Sequence, residues 1–185
     1  MSVILFTPKR HGDDRGWFVE SWNRKTAASM GIEADFCQDN QSLSRDKGTL
    51  RGLHFQKPPF AQAKLVRCLR GAIFDVAVDV RRASPTFGHW VSATLTAEKG
   101  EQLFVPRGYA HGFLTLEPDT EVAYKTDSYY DQASDAGLFW NDPAVGISWP
   151  SVVDAPILKD SDARLPMLAD LTADFAYDGN PLLSL

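Results

Sequence analysis

The stretch that decides the fold is "IFDVAVDVR", Ile73 to Arg81. It sets Phe74, Val76, Val78 and Val80 on one face of an extended chain and Asp75, Ala77, Asp79 and Arg81 on the other. Successive side chains of a strand point to opposite faces, so this period of two predicts a half-buried β-strand. The alternation returns at "HWVSATLTA" (89–97), "EQLFVP" (101–106), "AHGFLTLE" (110–117) and "TEVAYKTD" (120–127). Between these runs lie "LRGA", "ASPTFG", "AEKGE", "PRG" and "EPDT", whose Gly, Pro, Asp and Ser content suits turns. Many short strands at close spacing predict an all-β sandwich or small barrel rather than an α/β fold.

Helix signals are few and short. "RKTAASMG" (24–31) predicts one, with Gly31 as its cap, and "DARLPMLADL" (162–171) another that Pro166 keeps irregular. From Asn141 onward the proline-rich run reads as an irregular tail that wraps the β body, held by its tryptophan and leucines. With 185 residues and no repeat or linker, the chain is read as a single domain over 1–185.

Composition narrows the function. The chain is 44% hydrophobic and 23% charged, an ordinary globular balance. A net charge of -5 without any run of lysine or arginine argues against a nucleic acid partner, because phosphate neutralisation needs clustered cations. No stretch approaches the roughly 18 apolar residues of a membrane span. Cys37 and Cys68 stand in no metal or redox spacing, and "MSVILFTPKRHGDD" has too short an apolar stretch for a signal peptide, so the expected location is the cytoplasm.

The chemistry is expected at two of four histidines. In "RGLHFQ" (51–56), His54 follows Arg51 and precedes Gln56, with Gln62 and Lys64 a little further on. A core histidine, a metal ligand and a catalytic base are the competing readings, and so many donors nearby favour a site that meets an anion or a carbonyl. "PRGYAHGF" (106–113) resembles the second half-motif of the cupin barrels, whose histidine, here His111, points inward. A metal cupin also carries a His-x-His pair and a nearby acid, since a divalent ion takes about three clustered N/O ligands. "HFQKPPFAQ" offers one histidine and no acid, so no metal is expected. An imidazole with a pKa near about 6.5 suits proton abstraction, helped by a carboxylate on its other nitrogen. Spacing alone does not choose that carboxylate.

In order along the chain, "DDRGWFVESWN", "QDNQSLS", "GTLRGLHFQ", "AQAKLVRCLRG", "DVAVDVRRASPTFGHW", "PRGYAHGF", "AYKTDSYY" and "WNDPAVGISWP" resemble the dTDP-4-dehydrorhamnose 3,5-epimerases. The resemblance implies a cupin-type jelly-roll barrel of antiparallel strands that needs no metal and no cofactor. Its implied reaction inverts carbons 3 and 5 of a dTDP-4-keto-6-deoxyhexose, taking dTDP-4-keto-6-deoxy-D-glucose to dTDP-4-keto-L-rhamnose for dTDP-L-rhamnose biosynthesis. By motif match, His54 is the base, Asp162 in "LKDSDARLP" its carboxylate with Asp160 as competitor, Tyr124 the acid, and Lys64 the cation near the keto oxygen. His111 lies close to the same pocket, and Arg51 meets the sugar or diphosphate. Arg15, Phe18 and Glu20 match a segment that reaches the nucleotide of a neighbouring subunit in a homodimer. Gln38 and Asn40 match sugar or base contacts, and Tyr130 an aromatic wall. The family also holds enzymes that epimerise one carbon only, so regiochemistry stays open, and a non-catalytic sugar-nucleotide-binding cupin is the reading from another class.

Overall fold

The computed structural model describes residues 1–185. Its strands are β1 (Ile4–Phe6), β2 (Arg10–Asp13), β3 (Gly16–Val19), β4 (Gln38–Ser44), β5 (Leu50–Gln56), β6 (Lys64–Arg70), β7 (Ala72–Asp79), β8 (Trp90–Thr96), β9 (Gln102–Val105), β10 (Tyr109–Thr115), β11 (Thr120–Thr126) and β12 (Asp135–Gly137), with one helix, α1 (Arg24–Ser29). One five-stranded sheet runs β1-β9-β6-β11-β4 and the other β12-β5-β10-β7-β8, while β2 and β3 form a separate hairpin. Pairing within both sheets is antiparallel. The sheets pack face to face as a jelly roll, and their inner rows meet in one cluster. Val66, Cys68, Leu103, Val105 and Val122 come from the first sheet, and Ile73, Ala93, Leu95, Tyr109 and Phe113 from the second.

The strand over 73–81 forms, but it is not half-buried. Its inner row carries Ile73, Asp75, Ala77 and Asp79, and its apolar row of Val76, Val78 and Val80 faces away from the barrel. That outer row is buried too, because the C-terminal tail lays Leu168, Leu171 and Ala173 over it. Asp75 and Asp79 are each 0% exposed. The alternation is real; the tail covers the apolar face, and the charged row lines the inside. Burying a leucine such as Leu171 contributes about 1.5–3 kcal/mol, so the tail is a structural wall of the sheet.

Helix α1 starts where Asn23 caps it, the side-chain oxygen accepting from the amides of Lys25 and Thr26. It stops at Met30, and Gly31 leaves it with φ +84. The predicted second helix is reduced to two 3-10 turns, Asp162–Arg164 and Leu168–Asp170, on either side of Pro166. No helix is long and apolar enough to cross a membrane.

Candidate active site

Strands β5 and β10 set two histidines opposite each other, His54 against His111 in register. Each ring finds a different carboxylate. His54 Nε2 lies 3.1 Å from Asp162 Oδ1, and His111 Nε2 lies 2.7 Å from Asp75 Oδ1. Asp162 comes from the first 3-10 turn of the tail, where it also accepts the Gly52 amide at 3.1 Å and the Ser161 hydroxyl at 3.1 Å. Burial by itself would raise this carboxyl, but the His54 hydrogen bond and charge, with the Gly52 amide and Ser161, outweigh it and hold Asp162 below the usual carboxylate range. Asp160 is exposed and makes no such contact.

Gly52 is what lets the carboxylate come so close. Its φ of +119 suits glycine, and a Cβ there would lie 2.7 Å from the Gly112 Cα on β10. The backbone can therefore turn its N–H toward Asp162 while β5 and β10 stay paired.

Two further groups reach the space from the opposite sheet. Lys64, on β6, is buried and donates to the His54 carbonyl at 3.2 Å. Burial pushes its amine down to about 8, against the attraction of Asp135 and Asp75. Tyr124, on β11, stands opposite Asn40 on β4 and Val66 on β6, with the Lys64 ammonium 6.0 Å from its ring centre. Burial raises its phenol, Arg51 pulls it back in part, and Asp135 adds to the rise.

Arg51, His54, Lys64, His111, Tyr124 and Asp162 all line one cavity of about 500 Å³, a size that suits a sugar. Six of the twelve residues singled out in the sequence thus meet at one place. Gln38, Asn40 and Tyr130 sit beside it rather than in its wall: Gln38 donates to Asn40 at 2.9 Å and accepts the Tyr130 amide at 3.1 Å. Arg15, Phe18 and Glu20 do not join the cavity. They belong to or adjoin the β2–β3 hairpin, where Phe18 and Glu20 line a separate space of about 430 Å³ with His11, Trp22 and Met30. Sequence reasoning missed Asp75 and Asp135. A carboxylate in the row of a strand that faces the barrel was the available signal for Asp75, whose Oδ2 is buried without a partner. No three His, Cys, Asp or Glu side chains converge as a metal ligand set.

A jelly roll with a cavity between its sheets, lined by a His–Asp pair, a lysine and a tyrosine, defines a cupin-type epimerase. The family model described as dTDP-4-dehydrorhamnose 3,5-epimerase matches residues 1–170. A Sinorhizobium fredii protein of that name is 52% identical over 179 residues, spanning 95% of this chain and 89% of its own. A crystal structure of the Bacillus anthracis enzyme of that name, with TDP and PPi bound, superposes with a TM-score of 0.86 at 50% identity, over 89% of this chain and 93% of that one. The Legionella pneumophila dTDP-6-deoxy-D-glucose-3,5-epimerase, in complex with dTDP-4-keto-L-rhamnose, gives 0.87 at 42% identity over 92% and 89%. This chain belongs to the dTDP-4-dehydrorhamnose 3,5-epimerase family.

Proposed function

We propose that the chain inverts carbons 3 and 5 of dTDP-4-keto-6-deoxy-D-glucose to give dTDP-4-keto-L-rhamnose, a step in making dTDP-L-rhamnose. The observation that carries this reading is the pairing of His54 with Asp162 on one wall of the cavity and Tyr124 on the other sheet. Both carbons flank the C4 ketone. His54 removes the proton of one of them, the C–H electrons flow into the ring, and the charge appears on the keto oxygen as an enolate. Asp162 steadies the imidazolium so formed. Lys64 supplies the positive charge near the enolate oxygen, where a low-dielectric wall makes it count for more than in water.

Tyr124 then returns a proton to the opposite face of the carbon, which inverts it. Its raised phenol pKa keeps it protonated at neutral pH, as a donor must be. The imidazolium and phenolate reset by exchanging a proton with solvent, and the second carbon follows. Protons alone are moved and no electrons are lost or gained, so the chemistry asks for no cofactor.

The same reading makes residues 1–185 a single catalytic domain that works as a homodimer in the cytoplasm. Trp17 and Phe18, 60% and 70% exposed on the hairpin, support a partner at that edge. In the dimer Arg15, Phe18 and Glu20 meet the neighbour's nucleotide, while Gln38, Asn40 and Tyr130 border the sugar.

Proton NMR in deuterium oxide with dTDP-4-keto-6-deoxy-D-glucose tests the proposal. Loss of signal at both C3 and C5, followed by dTDP-L-rhamnose when a 4-ketoreductase is coupled, is the expected result. Exchange at one carbon alone makes the chain a single-carbon epimerase, and no exchange with dTDP still bound makes it a binding protein.

A further inference from the structure

Two glutamines beside the site residues in sequence stay out of the cavity. Gln56 ends β5 two residues after His54, and Gln62 stands two residues before Lys64. Neither lines the space of about 500 Å³ that holds His54 and Lys64. Their donors go to backbone instead. Gln56 is 3% exposed, and its side-chain amide makes three hydrogen bonds. Nε2 donates to the Phe60 carbonyl at 2.6 Å and to the Tyr129 carbonyl at 3.2 Å, while Oε1 accepts the Asp131 amide at 2.8 Å. Gln62 Nε2 donates to the Ser128 carbonyl at 2.7 Å.

These bonds join two crossings between the sheets. Residues 57–63 carry the chain from β5 in one sheet to β6 in the other, and residues 127–134 carry it back from β11 to β12. The two loops also bond directly, the Lys57 amide to the Ser134 carbonyl at 2.9 Å and the Ala63 amide to the Asp127 carboxylate at 2.6 Å. The side chains assigned to the reaction stand at the ends of these loops. His54 lies two residues before the end of β5, Lys64 opens β6 opposite Thr126, and Tyr124 lies two residues before Thr126. The loops therefore set the gap across which His54 on one sheet faces Tyr124 on the other. Removing the Gln56 amide leaves two loop carbonyls and a loop N–H without their partner, at the place where both crossings meet.

We propose that Gln56 is a positioning residue of the reaction, a brace on both crossings that sets the distance between the base and the proton donor. This rests on the epimerase reading. Proton removal uses groups tied to β5 itself, because Asp162 accepts the Gly52 amide and the His54 ring, and Lys64 donates to the His54 carbonyl. Proton delivery spans the whole gap, since Tyr124 must reach the far face of the same carbon. A loosened brace thus strikes delivery before removal, and a misplacement of about 1 Å costs about a hundredfold in rate.

Proton NMR in deuterium oxide, following washout and inversion of dTDP-4-keto-6-deoxy-D-glucose together, tests this in the wild type, Gln56→Met and Gln62→Met, with circular dichroism to check the fold. In Gln56→Met inversion should fall about a hundredfold while washout stays near the wild-type rate. Gln62→Met, which removes a single bond from a half-buried side chain, should shift the same ratio by less, and it decides the matter if Gln56→Met does not fold. Equal loss of washout and inversion in a folded variant overturns the brace, because a residue that only supports the fold or the binding of substrate moves both. Wild-type inversion in both variants overturns it too, and leaves the epimerase reading intact. A wild-type chain that neither washes out nor inverts overturns the epimerase reading and the brace with it.

Discussion

In the proposed reaction His54 is the base and Asp162, 108 positions away in the chain, holds its ring. His54→Ala should lower kcat by about a thousandfold with the fold kept, the range in which a general base contributes; near-normal turnover would assign the base elsewhere. Tyr124→Phe should separate the two half-steps, still washing a substrate proton into solvent but completing inversion poorly. Loss of washout together with inversion would mean that one group does both jobs. Lys64 predicts a pH limb: kcat/KM should fall as pH rises through about 8, where its amine loses the charge that steadies the enolate. Stability should move the other way. The unfolded chain keeps that proton to about 10.5, so between 8 and 10.5 the unfolded state binds more protons and the folded state gains as pH rises. Lys64→Met should then be slower and more stable at pH 7, which urea unfolding checks. His54, Lys64 and Tyr124 are legible in the sequence because short motifs surround them. Asp162 is not separable there from Asp160, since a turn of the tail, not spacing, decides which one faces the ring.

At the scale of the element, β5 is the strand on which geometry is tightest. Gly52→Ala forces a Cβ against the Gly112 backbone at 2.7 Å and puts a side chain at φ +119. It should cost about 2–4 kcal/mol in urea unfolding and lower kcat as well, because the amide that holds Asp162 shifts. A variant with unchanged stability would mean that β5 and β10 separate more easily than their register suggests. The strands that alternate apolar and polar residues are readable from sequence, but β4 and β6 are not. In β4, "QDNQSLS" has no apolar row, since the inner face that should be apolar borders a polar cavity. In β6, Leu65 and Val66 are consecutive and both buried, one toward the helix side and one toward the barrel. Period-two reading fails where consecutive apolar residues serve two covered faces, as in β6, and where the covered face borders a polar cavity, as in β4.

For the molecule as a whole, the exposed hairpin predicts assembly. Sedimentation should give twice the mass of the chain, and Phe18→Ser should shift it toward the monomer, since the hairpin presents Trp17 and Phe18 to solvent. A wild-type monomer that is fully active would place the nucleotide contacts elsewhere. The fold class is legible because many strands announce themselves, whereas the role of the tail is not. Its proline-rich sequence looks like a loose end, yet it supplies a wall of the sheet and a carboxylate of the site. Translation gives that arrangement a direction in time. The ribosome releases His54 early and Asp162 late, so the pair proposed for catalysis, and the cover of the outer face of β7, are complete only when the tail has emerged and wrapped back. On the proposed mechanism, a chain stopped or clipped before residue 162 lacks the carboxylate that His54 relies on, so turnover should report mainly the molecules whose synthesis reached past that point.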